Sequence, residues 1–226
     1  SHLRVTVNAP SDHHSPSPCS VVVLISGSGS NLQALIESAS EGGYRIAAVV
    51  SNKADAFGLT RAKEAGIPTA VLSHLAYANR EDFDSALTRI IDNFQPRLVV
   101  LAGFMRILSS AFVSHYAGRL INIHPSLLPD FPGINTHQRA LDANVTRHGA
   151  SVHFVTEELD GGPVIARHSI PVVPADTPES LAARVLEQEH RLYPKVVAWF
   201  ASGDLKMTER GACHASITLP HTHEIE

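Results

Sequence analysis

The chain has 226 residues, a formal net charge of −4 and 44% hydrophobic residues, which suits one large domain or two small ones with a full core. A mean hydropathy of +0.02 and a pI near 6.4 exclude a disordered or fibrous composition and give no general attraction to nucleic acid or to acidic membranes. Cys19 and Cys213 stand near the two edges of the globular pattern. They imply no disulfide framework, and a reducing cytoplasm is the expected compartment. No apolar run reaches the length of a membrane span, and no signal-peptide core precedes the first strand.

Residues 1–18, rich in Pro, Ser, His and Asp, predict a flexible arm. The unbroken apolar run over 21–25 predicts a parallel strand covered on both faces. Ser26-Gly27-Ser28-Gly29-Ser30-Asn31 leads from it into helical spacing at 32–36. Such a turn aims backbone N–H groups at whatever lies above it, which makes it an anion site for a phosphate monoester or, more plainly, a tight strand-to-helix turn. It lacks the Gly-Lys-Ser/Thr of a Walker A loop and the third glycine of a dinucleotide fingerprint.

Further strands are expected at 45–50, 69–72, 98–102, 120–123 and 150–155, with helices at 56–65, 79–94, 109–116 and 137–144. Asn79 is placed as an N-cap. Arg80 follows on the first turn, where a cation opposes the helix dipole, and reads by itself as surface variation. Gly103-Phe104-Met105-Arg106-Ile107-Leu108 follows the fourth strand and would either wall a flat aromatic ligand or make a core contact. Residues 164–173 alternate as a half-exposed strand that pairs antiparallel with 150–155 at the sheet edge. Pro178 opens a closing helix to about residue 201, and the folded domain is expected to span 19–207. Residues 208–226 are expected to be a polar tail, whose His221 and His223 are solvated rather than metal-bound. Strands alternating with helices give an α/β class: a mostly parallel twisted sheet with helices on both faces.

The stretch 120–133, L-I-N-I-H-P-S-L-L-P-D-F-P-G, organises the rest. It runs from a strand into a proline-stiffened loop, at the carboxyl ends of the strands where α/β proteins hold ligands. Asn122 and His124 flank Ile123 there, a placement read as opposite strand faces unless the strand end twists. Asp160 lies in the loop after the sixth strand. Histidine suits proton transfer near neutral pH, asparagine offers a neutral donor to an oxyanion, and a carboxylate favours and orients imidazolium. Together they fit attack on a carbonyl by an amine or water. No Gly-x-Ser-x-Gly elbow and no His-Glu-x-x-His occurs, so no metal is expected.

Asn122-Ile123-His124-Pro125-Ser126-Leu127-Leu128-Pro129, followed by Glu158-Leu159-Asp160-Gly161-Gly162, resembles the formyltransferases that use 10-formyltetrahydrofolate. The likeness covers about residues 21–207 and is strongest to the branch acting on phosphoribosylglycinamide in purine synthesis. It implies a Rossmann-like formyltransferase fold, with Asn122, His124 and Asp160 catalytic. It further implies phosphate contacts from Gly29, Ser30 and Asn31, a contact of Glu189 at the ribose-phosphate end, and folate contacts from Arg80, Phe104, Met105, Arg106, Ile107 and Leu108. The substrates implied are glycinamide ribonucleotide and 10-formyltetrahydrofolate, with neither nucleic acid nor membrane as partner; oligomeric state, a homodimer included, is left open. A formyltetrahydrofolate deformylase, which uses water as acceptor, and a non-catalytic nucleotide-binding module are the alternatives. The module would leave Asn122, His124 and Asp160 without a reason to be together.

Overall fold

The computed structural model describes residues 17–226; of the arm expected over 1–18, all but Ser17 and Pro18 lies outside the described residues. Among the described residues ten strands and six α-helices follow in order, with one 3-10 turn (His74–Ala76) before α3: β1 (Cys19–Ile25), α1 (Ser30–Gly42), β2 (Tyr44–Ser51), α2 (Phe57–Glu64), β3 (Thr69–Val71), α3 (Arg80–Asn93), β4 (Leu98–Leu101) and α4 (Ser110–His115). The second half holds β5 (Leu120–His124), α5 (Thr136–Asp142), β6 (Arg147–Phe154), β7 (Val164–Pro171), α6 (Pro178–Ala201), β8 (Leu205–Thr208), β9 (Gly211–His214) and β10 (His221–Glu224).

Eight strands form one sheet in the order β10-β7-β6-β5-β4-β1-β2-β3. The unbroken apolar run of β1 is explained by its two covered faces. Val21, Val23 and Ile25 enter one core cluster, with α1 and α6, while Val22 and Leu24 enter the other, with α3 and α4. The strand period of two makes both faces apolar at once. Asn79 caps α3 as expected, its side chain accepting the Asp82 N–H at 2.8 Å. Thr177 and Ser180 cap α6 reciprocally, with Pro178 in the first turn.

β1 pairs parallel with both β2 and β4, so the chain winds one way through β2 and β3 and the other way through β4 and β5. The loops after β1 and β4 therefore flank the switch point, the crevice where this class of sheet holds ligands. Beyond β5 the direction reverses: β5–β6 and β6–β7 are antiparallel.

The reading of 208–226 as a polar tail is corrected. β8 and β9 form a separate antiparallel pair, and β10 joins the main sheet parallel to β7, so β7 is not the edge. A ladder recruits backbone groups whatever the side chains are. The Ile225 N–H donates to the Ser169 carbonyl at 2.7 Å, and Arg147 donates to the carbonyls of Ser169 and Ile225 at 2.9 and 2.8 Å. His221 and His223 are thus strand residues, and His223 lies against the His168 ring at 5.3 Å between centroids. The signal was present as alternation: His221, His223 and Ile225 share one side, Thr222 and Glu224 the other.

Candidate active site

The site grows from the end of β5. Asn122 pairs with His153 across the β5–β6 ladder, and His124 pairs with Ser151. Residues two apart on a strand share a face, so the expectation that Asn122 and His124 point to opposite faces is corrected: both stand on the same side, with His153 and Ser151. Ser151 fastens the loop that follows β5. Its hydroxyl donates to the Ser126 carbonyl at 2.7 Å and accepts the Leu128 N–H at 3.0 Å. Phe131, Gly133 and Asn135 then take positive φ, of 49°, 85° and 55°. This coils the loop back over the strand end.

Asp160 is brought in from the loop after β6 and also has positive φ, 51°, a conformation aspartate tolerates better than most residues. One carboxylate oxygen lies 3.6 Å from His124 Nδ1 and 3.9 Å from His153 Nε2. The other accepts the Gly133 N–H at 2.8 Å. These three side chains are 7%, 3% and 9% exposed for His124, His153 and Asp160, so electrostatic interactions among them are weakly screened by water. His124 Nε2 lies 2.9 Å from the Phe131 carbonyl, an acceptor that requires the proton on Nε2 and leaves Nδ1 turned to Asp160.

Sequence periodicity places His153 only within the sixth strand, with no role of its own. Its Nδ1–H donates to the Phe154 carbonyl at 2.9 Å, so Nε2 is an acceptor, 3.5 Å from the Asn122 amide nitrogen. Burial, the largest cause, pushes its pKa down, against the pull of Asp160. A neutral His153 thus stands behind Asn122. The visible signal was a histidine inside an apolar strand; what hid it was the register that sets it opposite Asn122.

The glycine-rich loop forms the second part. Gly29 has φ 73° and is the N-cap of α1, whose first turn holds no acidic residue. A Cβ on Gly29 would meet Gly58 Cα at 2.6 Å, so the loop sits tight on α2. The Gly58 N–H donates to the Gly27 carbonyl at 3.0 Å, and Arg61 to that of Ser28 at 2.8 Å. A cavity of about 270 Å³ opens over this loop, with Lys53 and Met105 on its wall. Asn31 donates to Glu189 at 3.2 Å, and burial pushes the Glu189 carboxyl up to about 7, only partly offset by that bond.

A second cavity, of about 210 Å³, lies between the segment after β4 and the loop carrying Asp160. Phe104, Arg106, Ile107 and Leu108 line one side, and Asn122, His153 and Asp160 close its end. Met105 turns instead to the cavity over the glycine loop. Arg106 lies over the Phe83 ring at 4.3 Å. Arg80 is exposed at the start of α3 and is not part of this wall. A larger cavity, about 610 Å³ between Arg97, Phe200 and Lys206, contains none of the expected site residues; chemistry, not size, identifies the site. Among the described residues no group of three His, Cys, Asp or Glu side chains could hold a metal ion, and no helix is long and apolar enough to cross a membrane.

Two cavities, one over the glycine-rich turn at the start of α1 and one beside the Asn122–Asp160 cluster, stand alongside what the chain is similar to. The family model "Formyl transferase" matches residues 19–197. The phosphoribosylglycinamide formyltransferase of Escherichia coli is 57% identical over 202 residues, which cover 88% of this chain and 95% of that protein. The human trifunctional purine biosynthetic protein adenosine-3 is 48% identical over 193 residues, 84% of this chain and 19% of that one. Among solved structures, the phosphoribosylglycinamide formyltransferase of Coxiella burnetii, in complex with CHES, superposes with a TM-score of 0.87 at 50% identity, covering 91% of this chain and 99% of that one. The chain belongs to the formyl transferase family, in its phosphoribosylglycinamide formyltransferase branch.

Proposed function

We propose that this enzyme moves the formyl group of 10-formyltetrahydrofolate to the amine of 5-phosphoribosylglycinamide, with Asn122, His124 and Asp160 as its catalytic residues. One observation carries the assignment: Asn122 and His124 share one side of the β5–β6 ladder, Asp160 reaches His124 from the loop after β6, and Asn122 and Asp160 line the cavity walled by Phe104, Arg106, Ile107 and Leu108. The folate lies against Phe104, Arg106, Ile107 and Leu108, with Met105 at the junction of the two cavities and Arg80 outside, where its charge meets the folate carboxylates. The ribonucleotide phosphate takes the N–H groups of Gly29, Ser30 and Asn31 at the start of α1. Glu189, beside Asn31, accepts from the ribose hydroxyls.

The amine attacks the formyl carbon and a tetrahedral intermediate forms. Its oxygen is stabilised by the Asn122 amide and by the His124 imidazolium. His124 Nε2–H is available to that oxygen once substrate displaces the Phe131 carbonyl it now meets. Asp160 holds the imidazolium charge and, through water, relays a proton from the attacking amine to the departing folate nitrogen. The C–N bond to folate breaks, leaving tetrahydrofolate and formylglycinamide ribonucleotide.

The test mixes enzyme with 10-formyltetrahydrofolate and follows folate absorbance with and without the ribonucleotide. Conversion only when the ribonucleotide is present is expected. Equal conversion in its absence would make the enzyme a deformylase and overturn the reading.

A further inference from the structure

The structure assigns Ser26 as a positioning residue that sets the separation of the two substrates. This rests on the function proposed above. Ser26 is the first residue after β1 and 5% exposed, and its hydroxyl both donates and accepts. It donates to the Asn52 side-chain oxygen at 2.6 Å and accepts the Met105 N–H at 2.7 Å. Asn52, 4% exposed, follows the end of β2. One hydroxyl therefore ties together the chain beyond three adjacent strands: β1, β2 and β4.

The place of this tie gives it consequence. The sheet ladder still holds Ala102, whose N–H donates to the Leu24 carbonyl at 2.9 Å. The chain then turns at Gly103, with φ 77°, and leaves the ladder. Met105 N–H is the point where it is fastened again, to the residue that opens the phosphate loop. On one side of that point lies the cavity over Gly29 and Ser30; on the other, Phe104 and Arg106 line the cavity beside Asn122. Met105 itself is 74% exposed, so its own side chain does not fix the backbone here. Phe104 and Leu108 pack on the core cluster of α3 and α4, while at the junction between the two cavities the Met105 N–H is held by donating to a buried hydroxyl.

Ser26 touches neither reacting group, so its effect is on geometry. With the hydroxyl gone, the Met105 N–H and the Asn52 oxygen lose a buried partner, and the folate wall is free to shift against the phosphate loop. Each substrate still finds its own cavity, but the amine and the formyl carbon no longer meet at the right distance. Misplacement of this kind lowers turnover by factors up to about 10².

Ser26→Ala is expected to lower kcat by about tenfold or more, to leave both KM values within about threefold, and to speed hydrogen exchange at the Met105 N–H. Ser26→Thr, which keeps the hydroxyl, is expected to restore most of kcat and of the exchange protection. An unchanged kcat in Ser26→Ala, or a loss confined to KM, or an equal loss in Ser26→Thr, overturns the role. Should Ser26→Ala not fold, Asn52→Ala carries the test, because it keeps the acceptor of Met105 N–H but frees the hydroxyl to rotate. A kcat loss with unchanged KM supports the role, and wild-type kcat overturns it. Wild-type enzyme that shows no ribonucleotide-dependent transfer sinks the proposed function; normal wild-type transfer with an unaffected Ser26→Ala sinks only Ser26.

Discussion

The corner at the ends of β5 and β6 and the corner at the end of β1 both bury a carboxylate, and they treat it in opposite ways. Asp160 faces two imidazoles and accepts the Gly133 N–H. Glu189 has one amide donor, from Asn31, and burial pushes it up to about 7. The first corner gathers side-chain charge where charge would develop in the reaction. The second presents the backbone N–H groups at the start of α1, and burial shifts its one carboxylate toward the protonated form. A full negative charge there would repel a bound phosphate in a poorly screened cavity. Burial is common to both; the partners decide what each acid can do.

The largest effects should come from the first corner. His124→Ala is expected to lower turnover by about 10²–10⁴ and Asn122→Ala by about 10²–10³, with substrate KM values little changed. Steady-state kinetics on both substrates checks this, and a loss seen mainly as a raised ribonucleotide KM would erase the distinction between the corners. Asp160→Asn keeps the shape but removes the charge beside His124. If the pair acts as a unit, combining it with His124→Ala should be little worse than the more damaged single variant. Losses that multiply would mean independent roles.

The second corner should respond in binding instead. Gly29→Val places a side chain at a positive φ and within 2.6 Å of Gly58 Cα. It should weaken ribonucleotide affinity on the order of tenfold or more while calorimetry finds folate affinity nearly unchanged. Normal ribonucleotide affinity in this variant would exclude the loop as the phosphate site.

The smallest effect concerns stability. The folded Glu189 pKa, about 7, lies above its ordinary 4.5, so between those values the folded state binds more protons than the unfolded one. Stability from this group is therefore present at low pH and lost as pH rises through that window. Glu189→Gln removes the term, so its melting temperature relative to wild type should rise from pH 4.5 to 7. A constant difference across that range would show that Glu189 titrates normally.

The order of strands and helices through α6 was legible from periodicity alone, because a strand buried on both faces must be apolar throughout and a surface helix must carry a stripe. Asn122, His124 and Asp160 stood out for a related reason: polar groups at strand ends and in the loops beyond them contribute little to the core. His153 and Ser26 did not stand out, since a histidine within an apolar strand and a serine opening a glycine loop have many ordinary uses. Only the β5–β6 register sets His153 opposite Asn122, and only the adjacency of β1, β2 and β4 gives Ser26 both Asn52 and Met105. The same holds for β10, whose polar residues looked like a tail because backbone pairing leaves little mark on composition. Local propensity and hydrophobic pattern act over a few residues and are written in the chain. Contacts between residues tens of positions apart depend on sheet order and register, which exist only once the core has closed.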